Sequence, residues 1–321
     1  MKAEPRTIAG VTAEPGTRVD TQLRPAQLPS GGWMEIPVVI LHGARPGPTL
    51  WLSAAIHGDE VCGVEIIRQT LDRLDPKQMR GTVLAVPVVN VPGFASGDRY
   101  MPDRRDLNRC FPGSPRGSLA SRFANSFMKE IVRESDVGID LHTGSDHRRN
   151  VPQVRADLQH PETRELALAF GAPYALDARL RDGSLREAGR RAGATVLLYE
   201  AGEAWRFERR AIDVGVRGVR RVLAHVGITK SKPPVPRRTE VISASTWVRS
   251  PESGVARLTV ELGDRVAAKQ SLGIVADAIG SRQREVRATK AGIVVGRSET
   301  PVVHRGDALV HIGVPEGTHP E

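Results

Sequence analysis

Thr49-Leu50-Trp51-Leu52-Ser53-Ala54-Ala55-Ile56-His57-Gly58-Asp59-Glu60 is the stretch on which the fold turns. An apolar run suited to a buried strand ends in a histidine, a glycine and two carboxylates, and an amphipathic run begins directly after it at Val61. Strand, polar corner and helix is the arrangement that presents side chains at the open edge of an α/β sheet, where ligand sites lie. His57 and Glu60 fall on that corner.

Working outward, Val61, Val64, Ile67 and Leu71 recur at helical spacing until Asp75-Pro76 stops the run, and residues 81–90 form a β-branched stretch that reads as a buried strand. Together these make a βαβ unit, so the sheet is at least partly parallel. Upstream, residues 17–23, 34–41 and 49–56 read as strands. The short turn at residues 42–48 joins the last two as an edge hairpin, with His42 on its surface. Downstream, the periodicity stops from residue 91 to 116, longer than a plain connection needs. That segment carries Arg99, Arg104, Arg105, Asn108 and Arg109 among Asp98, Asp103 and Asp106. Guanidinium forks beside a neutral amide suit a bound carboxylate, and some of these arginines pair with the aspartates instead. A helix at residues 119–134 follows, then Val137-Gly138-Ile139-Asp140-Leu141-His142-Thr143-Gly144, a strand ending in a second polar corner.

Length and composition limit what these corners belong to. The 321 residues are 40% hydrophobic, enough for a sizeable core and long enough for two domains. The formal charge of +9 raises the question of a nucleic-acid partner. Only 4% of residues are aromatic and the arginines are scattered, so no specific nucleic-acid surface is expected. Cys62 and Cys110 read as small packing residues, and two cysteines make no disulfide framework. No leader or membrane span is evident, which fits a cytoplasmic protein that does not engage membrane.

Two strand ends carrying His57, Glu60 and His142 supply two imidazoles and a carboxylate, the ligand set of a catalytic zinc site with the fourth position left for water. Asp59 rivals Glu60 in this set. Asp140 precedes His142 by two, so both point to one face of a strand, where an aspartate can orient a ligating imidazole through its other N–H.

His57-Gly58-Asp59-Glu60, Asp106-Leu107-Asn108-Arg109 with Phe111-Pro112-Gly113, Asp140-Leu141-His142-Thr143, and Glu200 within Leu198-Tyr199-Glu200-Ala201-Gly202 together resemble the succinylglutamate desuccinylase/aspartoacylase family, zinc amidohydrolases of the zinc carboxypeptidase clan. The resemblance spans residues 35–225. It implies an α/β fold with a mixed, mostly parallel sheet flanked by helices, and one Zn2+ per chain on His57, Glu60 and His142. It further implies Glu200 as general base, with Glu203 as rival, and Asn108 and Arg109 on the substrate's carboxylate. Arg99 matches the family's carbonyl-polarising arginine with two extra residues between it and the Asn-Arg pair, so Arg104 and Arg105 compete for that role. A further substrate-binding arginine lies upstream of the base in this family; Arg186, Arg190 and Arg191 are the candidates.

After a helix at 209–226, the basic, proline-rich stretch 230–238 marks a boundary between a catalytic domain over residues 1–235 and a second domain over 241–314. The second domain has short strands, glycine turns and a repeated pattern, Ser253-Gly254-Val255 through Leu272-Gly273-Ile274 and then Ala291-Gly292-Ile293 through His311-Ile312. This pattern is similar to a small all-β barrel-sandwich, the biotinyl/lipoyl-like fold. The turn between its halves, residues 277–284, has no lysine for a swinging arm, and His304 and His311 read as ordinary strand residues.

Three functions compete on these readings. The first is a zinc-dependent deacylase acting on a small N-acyl amino acid or related carboxylate-bearing amide. The second is a metallocarboxypeptidase cutting a small peptide, and the third a non-catalytic basic binding module. A homo-oligomer is expected.

Overall fold

The computed structural model describes residues 2–230, 233–234 and 239–317, so most of the proline-rich boundary, residues 231–232 and 235–238, lies outside the described residues. The strands and helices run in the order β1 (Arg6–Ile8), β2 (Val11–Ala13), β3 (Thr17–Gln27), β4 (Trp33–His42), β5 (Arg45–Ala54), α1 (Cys62–Leu71), β6 (Arg80–Val86), α2 (Val91–Ser96), α3 (Leu119–Glu130), β7 (Val137–Gly144), β8 (Arg148–Ala156), α4 (Pro161–Phe170), β9 (Tyr174–Asp177), α5 (Leu185–Arg191), β10 (Thr195–Glu203) and α6 (Arg209–His225). The C-terminal part is all β: β11 (Glu240–Arg249), β12 (Gly254–Leu258), β13 (Arg265–Val266), β14 (Ser271–Ala276), β15 (Gln283–Arg287), β16 (Gly292–Ser298), β17 (Val302–Val303) and β18 (Ala308–Pro315).

One twelve-stranded sheet organises the molecule, in the order β13-β16-β18-β11-β9-β8-β10-β7-β5-β6-β4-β3. It is mixed, as expected, but not mostly parallel. Parallel pairing is confined to β6–β5–β7–β10 and to β8–β9–β11, while β3–β4, β4–β6, β8–β10, β11–β18, β16–β18, β13–β16 and β8–β16 are antiparallel. The reason is connectivity, since strands joined by short links run antiparallel and only helix crossovers return a strand in the same direction. Because β8 pairs with both β9 and β16, the strands β8, β9, β11, β18 and β16 form a closed ring.

The edge hairpin expected from residues 34–56 does not form. β6 lies between β4 and β5, antiparallel to the first and parallel to the second, so the βαβ crossover displaces the pairing that the short turn suggested. His42 therefore sits inside rather than on the surface, its Nδ1 3.0 Å from Thr82 Oγ1 and its Nε2 2.8 Å from the Glu4 carbonyl.

Two apolar cores cover the two faces of the sheet. On one face α1, α4 and α6 pack on Leu50, Leu52, Ile139, Leu141, Leu197 and Tyr199; on the other α3 and α5 pack on Trp51, Leu84, Val86 and Val196. Side-chain alternation then puts Asp140, His142, Leu198 and Glu200 on one face, because β7 and β10 pair Asp140 with Leu198 and His142 with Glu200. A third core takes Val248, Val294 and Val310 from the large sheet and Val275 and Val286 from the small sheet β15-β14-β12-β17.

Candidate metal centre

The HGDE corner is held by close backbone contact. A Cβ at Gly58 would lie 2.1 Å from the Gly93 carbonyl carbon and 2.3 Å from the Phe94 nitrogen, so only glycine lets the corner sit on α2. Asn90 caps α2 through the Gly93 N–H at 2.9 Å, and the Trp205 N–H donates to the Asp59 carbonyl at 2.8 Å, tying the corner to the end of β10.

On this frame the ligating atoms that His57, Glu60 and His142 can offer all lie within 4.8 Å of one another, and each residue is 5% exposed or less. The geometry has a direction. His57 Nδ1 lies 2.9 Å from Glu60 Oε1 and His142 Nδ1 2.7 Å from Glu60 Oε2, while the outer nitrogens reach separate carboxylates, His57 Nε2 to Asp106 at 3.0 Å and His142 Nε2 to Asp140 at 2.7 Å. Ser53 Oγ donates to Asp140 at 2.8 Å, Arg99 Nη1 donates to Glu60 at 2.7 Å, and the Thr143 N–H donates to Glu60 at 3.1 Å.

Each imidazole thus faces a carboxylate on both sides, so without a metal each needs protons on both nitrogens. Burial lowers the affinity of His142 for its proton, but Asp140 and Glu60 outweigh burial and raise its pKa well above the ordinary imidazole value. His57 is raised in the same way, against burial, by Glu60 and Asp106. Burial would raise Glu60, yet the two imidazoles hold it well below the usual carboxylate range. The charges close: Glu60, Asp106 and Asp140 balance Arg99 and two imidazoliums. A divalent cation replacing the two inward protons leaves that balance unchanged, and the outer carboxylates already fix the tautomer a ligating histidine needs. The donor set and its surroundings fit zinc.

The rivals fall elsewhere. Asp59 is buried with its Oδ1 unpaired, outside the His57–Glu60–His142 group. Arg104 and Arg105 are exposed, whereas Arg99 reaches Glu60. Glu200 sits beside His142 and Gln153 in register, its Oε2 2.6 Å from Arg155 Nε. Glu203 lies beyond a register shift, opposite Gly144, and pairs with Arg206 at 3.2 Å. Asn108 is buried and its Oδ1 accepts from the Leu185 N–H at 2.9 Å, which leaves its amide nitrogen to donate. Arg109 is exposed and donates to the Asn108 carbonyl. Of the three upstream arginines, Arg190 is paired with Asp157 and Arg191 with Glu187, and Arg186 is buried without a carboxylate partner.

Sequence reasoning missed Asp106 as a partner of His57, Ser53 behind Asp140, and Arg155 beside Glu200. Asp106 carried a signal, since it stands in the Asp-Leu-Asn-Arg motif; Ser53 and Arg155 acquire their neighbours only through strand register.

Comparison with known proteins accords with this geometry. Residues 46–226 match the family model of the succinylglutamate desuccinylase/aspartoacylase catalytic domain. The N-alpha-acetyl-L-2,4-diaminobutyric acid deacetylase of Halomonas elongata is 32% identical over 298 residues, covering 88% of this chain and 86% of that protein. Among solved structures, the product-bound ectoine utilization protein EutE (DoeB) of Ruegeria pomeroyi superposes with a TM-score of 0.85 at 27% identity, covering 92% of this chain and 95% of that one. A succinylglutamate desuccinylase/aspartoacylase from Rhodobacter sphaeroides gives a TM-score of 0.85 at 28% identity, with 93% and 96% covered. With ordered motifs, a matching catalytic-domain model and a relative aligned over most of both chains, this chain belongs to the succinylglutamate desuccinylase/aspartoacylase family.

Proposed function

We propose that the chain is a zinc-dependent amidohydrolase that removes the acyl group from a small N-acylated amino acid, with one zinc ion per chain on His57, Glu60 and His142. The observation that carries this reading is the inward convergence of both histidine Nδ1 atoms on Glu60 while Asp106 and Asp140 hold the outer nitrogens. The Halomonas relative, named as a deacetylase of an N-acetylated amino acid, supports deacylation over cleavage of unacylated peptides.

Zinc supplies two things when bound: it lowers the pKa of a coordinated water towards about 7 and polarises a carbonyl. The chain's own residues do the rest. Glu200, beside His142 across the β7–β10 pair, takes the proton of the attacking water and returns it to the departing amine nitrogen. Arg99 donates to Glu60 through Nη1 and offers its remaining N–H groups to the oxyanion that develops on the substrate carbonyl. Asn108 and Arg109 hold the substrate's carboxylate, the buried amide fixing direction and the exposed guanidinium supplying charge. Arg155 keeps the Glu200 carboxylate from turning away.

Elemental analysis of the purified protein beside His142→Ala tests this, together with hydrolysis of N-acetyl, N-succinyl and N-formyl amino acids. We expect about one zinc per chain in the wild type, a large loss in the variant, and release of free amine only from the metal-loaded protein. A wild-type protein that takes up no zinc, even when zinc is supplied, would sink the mechanism.

A further inference from the structure

We propose that Trp205, in the turn after β10, is a positioning residue for Arg99: it clamps the segment that carries Arg99 against the corner that carries Glu60. The proposal rests on the amidohydrolase reading for its effect on rate. Arg99 and Glu60 stand 39 residues apart in the chain and meet through one ion pair at 2.7 Å. Trp205 touches both of their segments. Its N–H donates to the carbonyl of Asp59, the residue before Glu60, at 2.8 Å. Its ring lies against Gly97, two residues before Arg99, so closely that a Cβ on Gly97 would fall 1.9 Å from Cη2 and 2.3 Å from Cζ3.

The backbone points to the ring as the reason for a tryptophan here. Trp205 has φ +67°, a left-handed conformation that glycine or asparagine takes readily and a bulky residue rarely does. Such strain persists only where the surroundings impose it, and it gathers at functional sites. Two contacts impose it on this turn: the Asp59 carbonyl holds the Trp205 N–H, and the Cys62 thiol donates to the Arg206 carbonyl at 3.0 Å. Trp205 is 60% exposed, so its ring adds little to the core and its use lies in the contact with Gly97. The Arg99 segment needs that contact. The Arg99 carbonyl accepts from Asn90 Nδ2 at 3.3 Å and from the Gly58 N–H at 3.4 Å, both longer than the usual range. Arg99 has to neutralise Glu60 and still reach the oxyanion, and misplacing such a group by about 1 Å costs on the order of 10²-fold in rate.

Hydrogen exchange and kinetics on the zinc-loaded protein test the clamp. Trp205→Gly and Trp205→Asn accept the left-handed backbone and keep the N–H while removing the ring, and Trp205→Phe keeps a smaller ring. Each is compared with the wild type in thermal transition and zinc content, which we expect to be unchanged. The probes are the Asp98 amide, which donates to the Gly93 carbonyl at 2.8 Å, and the Gly58 amide, which donates to the Arg99 carbonyl. Both should exchange about tenfold or more faster in the two ringless variants. For an N-acetyl amino acid, kcat and kcat/KM should fall together by about tenfold or more with KM nearly constant, the signature of an interaction made in the transition state. Trp205→Phe should recover most of both effects. Wild-type exchange at Asp98 and Gly58 in the ringless variants overturns the proposal, as does faster exchange with an unchanged kcat. Loss of zinc in those variants also overturns it, by moving the role of Trp205 to the metal corner. A wild type that hydrolyses no N-acyl amino acid refutes the amidohydrolase reading, and the exchange comparison then still decides whether the ring clamps the segment.

Discussion

Asp106 and Asp140 stand outside the His57–Glu60–His142 group that could hold a metal, yet each holds the outer nitrogen of its histidine and so fixes which nitrogen turns inward. Removing such a partner leaves the ligand in place but free to rotate and change tautomer, which in metal sites costs roughly 10–100-fold in affinity. Asp140→Asn and Asp106→Asn should therefore weaken zinc binding by about that factor, read by competition with a chromophoric chelator. Unchanged affinity in both would mean that the outer carboxylates serve only to solubilise a buried imidazole. Glu200 separates from the ligands by the opposite signature. Glu200→Gln keeps the size and the position beside Arg155, so the zinc content should hold while kcat falls roughly 10²–10⁴-fold. Loss of metal and activity together would move Glu200 from proton transfer to metal binding.

At the scale of the element, β18 and β11 carry a cross-strand pair that includes His311, an ordinary strand residue by sequence alone. His311 lies opposite Trp247, their rings stacked at 4.6 Å with 6° between planes, and Arg148 sits 5.3 Å over the same Trp247. Burial first, then Arg155 and Arg148, push the His311 pKa down to about 3. In the unfolded chain a histidine takes its proton near pH 6.5, so between about pH 6.5 and pH 3 the unfolded state binds more protons than the native one. Stability from this residue is complete above about pH 6.5 and declines as pH falls, by at most about 1.4 kcal/mol per pH unit. Denaturant midpoints at about pH 7.5 and about pH 5 should differ less in His311→Phe, which keeps a ring on Trp247, than in the wild type. An equal acid loss in both proteins would show that His311 titrates normally in the fold.

For the whole molecule, the change of texture after residue 230 is real but the sheet does not stop there. β9 pairs in parallel with β11, β8 gives its first half to β16, Gln153 Nε2 donates to the Val295 carbonyl at 3.4 Å, and Val151 and Leu176 share an apolar cluster with Ile242, Ile293 and Val295. A fragment ending at residue 230 would expose two strand edges and that cluster beside the strand bearing Arg155. Open edges flanked by apolar surface pair with other chains. The fragment should be lost to aggregation or melt well below the full chain, measured by light scattering and thermal unfolding. A monomeric fragment that melts with the full chain and hydrolyses the same substrate would make the C-terminal strands a separate appendage. Among the described residues no helix is long and apolar enough to cross a membrane.

By itself the sequence determined the local units and the donor types. The 3.6-residue periodicity placed α6 within about one residue of its observed ends, and polar residues closing apolar runs marked the corner after β5 and the last residues of β7 where His57 and His142 stand. Those signals are local, since side-chain spacing along one element encodes which face it buries. Tertiary structure alone decided the neighbours. That β6 would intervene between β4 and β5, that His42 would be enclosed, that Arg99 and not Arg104 or Arg105 would reach Glu60, and that β16 would close a ring through β8 all depend on strand pairing between residues far apart in the chain. No spacing within one segment records such a register. It is set by which apolar faces can be buried together, and that is a property of the whole folded chain.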